Sequence, residues 1–162
     1  MNAEQVLALA RAKGIRIATA ESCTGGLIAA TLTEVPGSSD VFDRGFVTYS
    51  NRAKQEMLWV QEKTLLAHGA VSEQVAHEMA ENALFRSGVG LAVSVTGIAG
   101  PGGSEFKPEG RVCFGLAQSL RDVHTETVEF GAIGRAKVRQ ATVDYALALL
   151  GAALRQMPGR EG

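Results

Sequence analysis

The order of strand-like and helix-like segments constrains this fold more than any other feature of the sequence. Short apolar runs, each typical of a buried strand, lie at 15–20, 45–50 and 89–96. Amphipathic patterns with helical spacing lie between and around them, at 2–13, 24–34, 51–58, 62–68, 72–87 and 135–155. A hairpin over 111–119 and 123–130 precedes the last helix. Strands that alternate with helices pack as a sheet covered on both faces. The sequence therefore predicts an α/β protein, a three-layer α/β/α sandwich with a mixed, mostly parallel sheet.

Length and charge limit the classes of protein to which this chain can belong. The 162 residues are 46% apolar and carry a net charge of −1, which predicts one domain over 1–162 with a frayed tail at 157–162. A balanced charge and few aromatic residues argue against a nucleic-acid partner or an anionic membrane surface. No apolar run is long enough for a membrane span.

The two cysteines, Cys23 and Cys113, form no disulfide framework, and this pattern predicts a cytoplasmic location. No cluster has metal-ligand spacing, so we expect no metal and no cofactor.

Glycine is the one unusual component, with 19 residues in the chain. Many of these glycines lie just after two of the predicted strands, where ligands bind in parallel sheets. The loops at 20–26, 49–54 and 96–108 should therefore meet at one edge of the sheet. We expect the third loop to form a backbone cradle for a phosphate or a sugar, with Thr96, Gly97 and Gly100 among its residues. The alternative is that the glycines only allow close packing.

A serine at the first of these strand ends is a candidate nucleophile. Ser22 follows the strand and precedes a helix predicted to begin near Thr24. Backbone N–H groups at Thr24, Gly25 and Gly26 would then lie at a helix start, where they can hold an oxyanion. The alternative is that Ser22 or Thr24 only caps the helix.

A serine nucleophile needs a base, and the sequence favours a lysine for that role. The three histidines lie in positions typical of a helix end, an exposed helix face and a hairpin strand, at His68, His77 and His124. Lys54 follows the second strand on the predicted ligand edge, and burial would lower its pKa. Tyr49 in the same loop could relay a proton. An ordinary exposed helix lysine is the alternative interpretation of Lys54.

Two arginines, Arg135 and Arg139, open the last helix, where a positive charge is unfavourable with the helix dipole. A bound phosphate or carboxylate would compensate. Cys23 lies at a helix start but has no histidine partner, so we expect it to serve packing.

Several motifs occur together in an order that resembles the CinA C-terminal domain family. They are Thr19-Ala-Glu-Ser-Cys-Thr-Gly-Gly26, Pro36-Gly-Ser-Ser39, Gly45-Phe-Val-Thr-Tyr-Ser-Asn51 with Lys54, Gly69-Ala-Val-Ser72, and Thr96-Gly-Ile-Ala-Gly-Pro-Gly-Gly103. The resemblance runs from about residue 3 to residue 155. It implies hydrolysis of the carboxamide of nicotinamide mononucleotide, for pyridine-nucleotide salvage, by a homodimer.

The resemblance also implies roles for particular residues. Ser22 and Lys54 match the family's catalytic dyad, and Tyr49 and Ser39 match two further residues implicated there. Arg135 matches an arginine of a Gly-Asp-Arg motif and is expected to bind the ribose phosphate. Here that motif is Ile133-Gly134-Arg135, without the aspartate.

Two other functions remain open from the sequence. The chain could be a nucleotide-binding module without catalysis, linked to a competence or damage response. It could also be an amidase or phosphohydrolase for another small nucleotide.

Overall fold

The computed structural model describes residues 1–159 and shows a five-stranded sheet between two layers of helices. The strands are β1 (Ile17–Glu21), β2 (Phe42–Val47), β3 (Leu91–Gly97), β4 (Arg111–Gln118) and β5 (His124–Glu129). The helices are α1 (Ala3–Lys13), α2 (Leu27–Thr33), α3 (Asn51–Leu58), α4 (Glu62–His68), α5 (Glu73–Ser87) and α6 (Arg135–Gln156), with a short 3-10 turn at Ser38–Asp40. Residues 160–162 of the predicted frayed tail lie outside the described residues.

The sheet is mixed, as predicted, with strand order β2-β1-β3-β4-β5. β1 pairs in parallel with both β2 and β3, whereas β4 runs antiparallel to β3 and β5. Four strands therefore point the same way and only β4 is reversed, although parallel and antiparallel pairings are equal in number. The carboxyl ends of β1, β2 and β3 lie side by side at one edge of the sheet.

The two faces of the central strands carry side chains of different size, large on one face and small on the other. Ile17, Val93 and Phe114 pack against α1, α2 and α6 in the larger core. Ala18 and Ala92 face the other way, toward α3 and α5. This division confirms the three-layer sandwich, and the small residues let α5 lie close to the sheet.

Capping side chains fix several helix ends at the positions that the sequence indicates. Asn2 and Gln5 form a capping box at the start of α1, and Ser72 accepts a hydrogen bond from the Val75 N–H at the start of α5. The helices predicted at 51–58 and 62–68 have these bounds in the structure. Within residues 1–159, we find no helix whose length and apolar character would let it cross a membrane.

Two elements have boundaries that differ from the prediction by three residues, whereas the other boundaries agree to within two residues. α2 begins at Leu27 rather than near Thr24, because Gly25 and Gly26 adopt left-handed backbone angles with φ of +58° and +103°. β2 begins three residues earlier than predicted, at Phe42, and ends at Val47.

Gly115 lies at a tight contact between α5 and the sheet. A Cβ at this position of β4 would overlap the Ala76 carbonyl oxygen and lie 2.5 Å from Ser94 Oγ. The Ser94 hydroxyl itself donates to the Ala76 oxygen at 2.6 Å. The contact between α5 and the sheet therefore requires glycine here.

We expect Gly115→Ala to lower the free energy of unfolding by about 1–3 kcal/mol, because the added methyl group must push α5 away from the sheet. Urea denaturation measures the change. Gly159→Ala is the control, since a methyl group there meets no atom within 4 Å. Equal stability of the two variants would contradict the close contact.

Candidate active site

Ser22 stands at the carboxyl end of the central strand β1. Its N–H donates to the Val95 oxygen at 3.0 Å, which extends the pairing of β1 with β3 by one residue. Its own carbonyl oxygen accepts from the Gly25 N–H at 3.0 Å, so the chain turns immediately afterwards. Ser22 is 7% exposed. The backbone around the hydroxyl is therefore fixed by the sheet on one side and by the turn on the other.

Lys54 is one of the largest fully buried side chains of the protein, with 1% exposed. It lies on α3, which follows β2 and is capped by the Ser50 side chain. Its Nζ lies 2.9 Å from Ser22 Oγ, 2.9 Å from the Thr48 oxygen and 3.5 Å from the Tyr49 oxygen. The sequence therefore correctly placed this lysine beside Ser22, and the alternative of an exposed helix lysine is wrong.

The partners of Lys54 fit both charge states of its amine: a charged ammonium can donate to the two carbonyl oxygens and to Ser22 Oγ, whereas a neutral amine can turn its lone pair toward the serine. A neutral amine has two N–H donors and one acceptor site. The carbonyl oxygens of Thr48 and Tyr49 can only accept, so they take the N–H groups. The lone pair is then left for the Ser22 hydroxyl proton.

Burial lowers the pKa of Lys54 to about 8, while the negative charge of Glu105 acts in the opposite direction. Roughly a tenth of the lysine is then neutral at pH 7. Burial raises the pKa of the neighbouring Cys23 thiol to about 11, so that thiol stays protonated. This agrees with the expectation that Cys23 packs rather than reacts.

A cavity of about 240 Å³ opens in front of this pair. A second cavity of about 280 Å³ continues along the glycine-rich loop. The two share part of their lining, including Val71, Gly97 and Arg135. A larger groove of about 1020 Å³ lies beside α4, α5 and the β4–β5 hairpin, but neither Ser22 nor Lys54 lines it. Ser22 and Lys54 therefore face the smaller, two-part cavity.

Arg135 links the second and third loops beside this cavity. Its guanidinium donates to the Gly100 oxygen at 2.7 Å and to the Tyr49 hydroxyl at 3.1 Å. Arg139, one turn along α6, instead donates to the Thr24 oxygen at 3.0 Å. Of the two arginines, Arg135 lines the cavity and Arg139 supports the turn after Ser22.

The structure does not bring Thr24, Gly25 and Gly26 to the cavity, contrary to expectation. Their predicted helix start lies at Leu27, and the first amides of α2 are taken by a buried carboxylate, that of Glu21. The Gly25 N–H already donates to the Ser22 oxygen. The Gly25 amide is therefore committed to the turn, whereas an oxyanion role for the Thr24 and Gly26 amides stays a prediction.

Ser39 also lies apart from the site within this chain. It belongs to the 3-10 turn before β2, whereas Ser22 follows the end of β1. Because β1 and β2 are parallel, these positions are at opposite edges of the sheet. The exposed Ser39 therefore has no contact with the cavity in one copy of the chain.

Thr96, Gly97 and Gly100 of the third loop line the cavity, as expected. Packing against neighbouring residues also explains why these residue types occur there. Thr96 donates its hydroxyl to the Ala70 oxygen at 2.8 Å and so holds the opposite wall. A Cβ at Gly97 would lie 2.6 Å from Val112 Cγ2, and one at Gly100 would overlap the Glu109 carboxylate. The predicted cradle is therefore flanked by an acidic side chain as well as by Arg135.

Sequence reasoning gave no role to Asn51 or to the wall at residues 69–72. Asn51 lines the cavity beside Tyr49. Lys107 holds the wall through hydrogen bonds to the His68 and Val71 oxygens. The motif Gly69-Ala-Val-Ser72 was the only sequence signal for this wall. Among residues 1–159, no group of three or more His, Cys, Asp or Glu side chains is placed to hold a metal ion.

Comparison with known proteins assigns this chain to a family. Residues 1–154 match the family model described as the CinA C-terminal domain. The chain belongs to the CinA C-terminal domain family. Nicotinamide-nucleotide amidohydrolase PncC of Enterobacter agglomerans is 54% identical over 140 residues, which are 86% of this chain and 85% of that protein. PncC of Escherichia coli K12 is 51% identical over 148 residues, 91% of this chain and 89% of that protein.

Longer proteins and solved structures agree with this assignment. A CinA-like protein of Chlorobium phaeobacteroides is 58% identical over 130 residues, but the match spans only 31% of its length. The competence/damage inducible protein CihA of Agrobacterium tumefaciens superposes with a TM-score of 0.85 at 50% identity, covering 94% of this chain and 96% of that one. The competence damage-inducible protein A of Klebsiella pneumoniae superposes with a TM-score of 0.90 at 36% identity, covering 98% and 100%.

The lowered pKa of Lys54 predicts how the reactivity of Ser22 in this CinA-family chain depends on pH. A fluorophosphonate probe labels a serine when its Oγ displaces fluoride and a base takes the proton. Only neutral Lys54 can take it, so the labelling rate should rise about tenfold per pH unit below 8 and level off above 8. Mass spectrometry of the labelled peptide measures this rate. A rate that does not change between pH 6 and 9 would exclude Lys54 as the base, and Ser22→Ala is the control for the labelled position.

Proposed function

We propose that this chain hydrolyses the carboxamide of nicotinamide mononucleotide, giving nicotinic acid mononucleotide and ammonia. The observation that carries the proposal is the buried Lys54 amine, 2.9 Å from Ser22 Oγ and held by two backbone carbonyls. The PncC relatives, named as nicotinamide-nucleotide amidohydrolases, support the same reaction over most of the chain.

The first half of the reaction uses the pair as nucleophile and base. Ser22 Oγ attacks the amide carbon while its proton passes to the Lys54 lone pair. The carbonyl oxygen becomes an oxyanion, and the Tyr49 hydroxyl and Asn51 carboxamide are side-chain donors that line the cavity. Lys54 then gives its proton to the departing nitrogen, the C–N bond breaks and ammonia leaves. An ester between Ser22 and the nicotinoyl group remains.

Water completes the cycle with the same groups. Lys54, neutral again, takes a proton from a water molecule that attacks the ester carbon. The intermediate collapses, Ser22 recovers its proton from Lys54, and the carboxylic acid loses its proton to water and leaves as the carboxylate. No cofactor takes part in these steps.

The two-part cavity suits a substrate with a reacting ring at one end and a phosphate at the other. The carboxamide must lie in the part lined by Ser22 and Lys54. Arg135 lines both parts, so its guanidinium can reach the ribose phosphate while the ring occupies the first part. Tyr49 accepts a hydrogen bond from Arg135, which leaves its O–H free to donate toward the reacting amide.

We place this reaction in cytoplasmic pyridine-nucleotide salvage by a homodimer. The buried, free thiols of Cys23 and Cys113 fit a reducing compartment. Light scattering of the purified protein tests the dimer.

We expect wild-type protein to release ammonia from nicotinamide mononucleotide and Ser22→Ala to lose at least about 1000-fold in kcat, because the nucleophile is gone. Lys54→Met should lose a similar factor, because the serine keeps its proton. Lys63→Met is the matched control, since this lysine is exposed on α4 away from the pair. A coupled ammonia assay measures turnover.

Two outcomes would change the proposed nucleophile or the proposed function. Normal turnover by folded Ser22→Ala would exclude Ser22 as the nucleophile. Absence of turnover with calorimetric binding of nicotinamide mononucleotide would favour a binding module without catalysis.

Removing the guanidinium tests the phosphate contact. We expect Arg135→Gln to raise KM for nicotinamide mononucleotide about 10–100-fold, because a hydrogen bond to a charged group contributes roughly 1.5–3 kcal/mol. Nicotinamide riboside, which lacks the phosphate, separates this effect from the role of Arg135 in holding Tyr49. An equal loss of kcat/KM with both substrates would assign Arg135 to the loops and not to the phosphate.

A further inference from the structure

Glu21, the last residue of β1 and the neighbour of Ser22, carries a fully buried carboxylate. Its Oε1 accepts from the Thr24 hydroxyl at 2.6 Å and from the Ile28 N–H at 2.8 Å, and its Oε2 accepts from the Ala29 N–H at 3.0 Å. A buried carboxylate is costly unless donors surround it. These three donors and the positive end of α2 compensate for its burial.

The same residue also reaches the segment that bears the lysine. The Glu21 carbonyl oxygen accepts from the Thr48 N–H at 2.9 Å. The Thr48 oxygen in turn accepts from Lys54 Nζ at 2.9 Å. Glu21 is therefore linked to Lys54 through its backbone and to the turn after Ser22 through its side chain.

We propose that Glu21 is a positioning residue for the Ser22–Lys54 pair. Its carboxylate clamps Thr24 and the first turn of α2, and this holds Ser22 Oγ within hydrogen-bond distance of Lys54 Nζ. Glu21 does not line either part of the cavity, so it does not touch the substrate. It acts on the geometry of the Ser22–Lys54 pair and not on the substrate.

The chemistry of the three donors explains why a carboxylate is required. A glutamine of the same shape keeps one acceptor oxygen but turns an NH₂ group toward the N–H of either Ile28 or Ala29, which also donates. Two donors then face each other in a buried space, and the turn must shift. A misplacement of about 1 Å at a reacting group costs on the order of 100-fold in rate.

The experiment measures the rate at which a fluorophosphonate labels Ser22 at pH 8 in wild type, Glu21→Gln, Thr24→Val and Thr24→Ser. We expect about a 100-fold loss for Glu21→Gln and about a tenfold loss for Thr24→Val, which removes one donor at constant shape. Thr24→Ser keeps the hydroxyl and should label at nearly the wild-type rate. Turnover of nicotinamide mononucleotide by Glu21→Gln should show a lower kcat with KM changed by less than about threefold.

A control separates positioning from loss of stability. Leu150→Ala empties a core site on α6 far along the helix from the cavity and should lower the unfolding temperature while leaving the labelling rate unchanged. If Glu21→Gln behaves like Leu150→Ala, Glu21 is only structural and the proposal is overturned. If Glu21→Gln does not fold, Thr24→Val decides, and its wild-type labelling rate would overturn the proposal.

The turnover measurement rests on the proposed function, whereas labelling does not. Labelled wild type that releases no ammonia would refute the amidohydrolase and still test Glu21 through the labelling rates. Wild type that is not labelled at Ser22 would refute the proposal, since there would be no reactive serine to position.

Discussion

The chemistry proposed for this structure depends on one contact, between a desolvated lysine amine and a serine hydroxyl at the end of the central strand. Lys54 reaches Ser22 through the interior, with its amine bounded by two carbonyl oxygens of its own loop. Water would stabilise the charged ammonium, so the absence of exposed surface at this side chain decides its chemistry. A lysine on the surface would stay charged at neutral pH and could not accept a proton.

Sheet topology brings these groups together although they are far apart in the sequence. β1 lies between two parallel partners, so the loops after β1, β2 and β3 must emerge side by side. The first loop carries Ser22, the second carries Tyr49 and leads to Lys54, and the third forms one wall of the cavity. Arg135, at the start of α6, then joins the second and third loops through its guanidinium.

The sequence predicted this convergence because strand ends in a parallel sheet share an edge, whatever the details of the helices. It predicted Ser22, Lys54 and Tyr49 together for that reason. It placed the start of α2 too early, because the left-handed geometry of Gly25 and Gly26 interrupts an otherwise helical pattern. The interpretation of Thr24, Gly25 and Gly26 as oxyanion donors depended on that boundary.

Other features of the structure could not be predicted from the residues next to them in the sequence. The burial of Glu21 depends on three donors that come into reach only when α2 packs onto β1. Ser39 was assigned by resemblance, and its place before β2 sets it at the far edge of the sheet. On α6 the buried stripe includes Ala146, Leu147 and Leu150, because the helix packs against α1 as well as against the sheet.

The most direct test of the account is an NMR titration of the Lys54 side chain, with lysine ¹³C-labelled at Cε and the resonance assigned by Lys54→Arg. The chemical shift of Cε reports the charge on the amine. The account predicts a midpoint near pH 8 for the Lys54 resonance. A Lys54 that stays charged to pH 10 would contradict the central claim, because the amine beside Ser22 would then have no lone pair to offer.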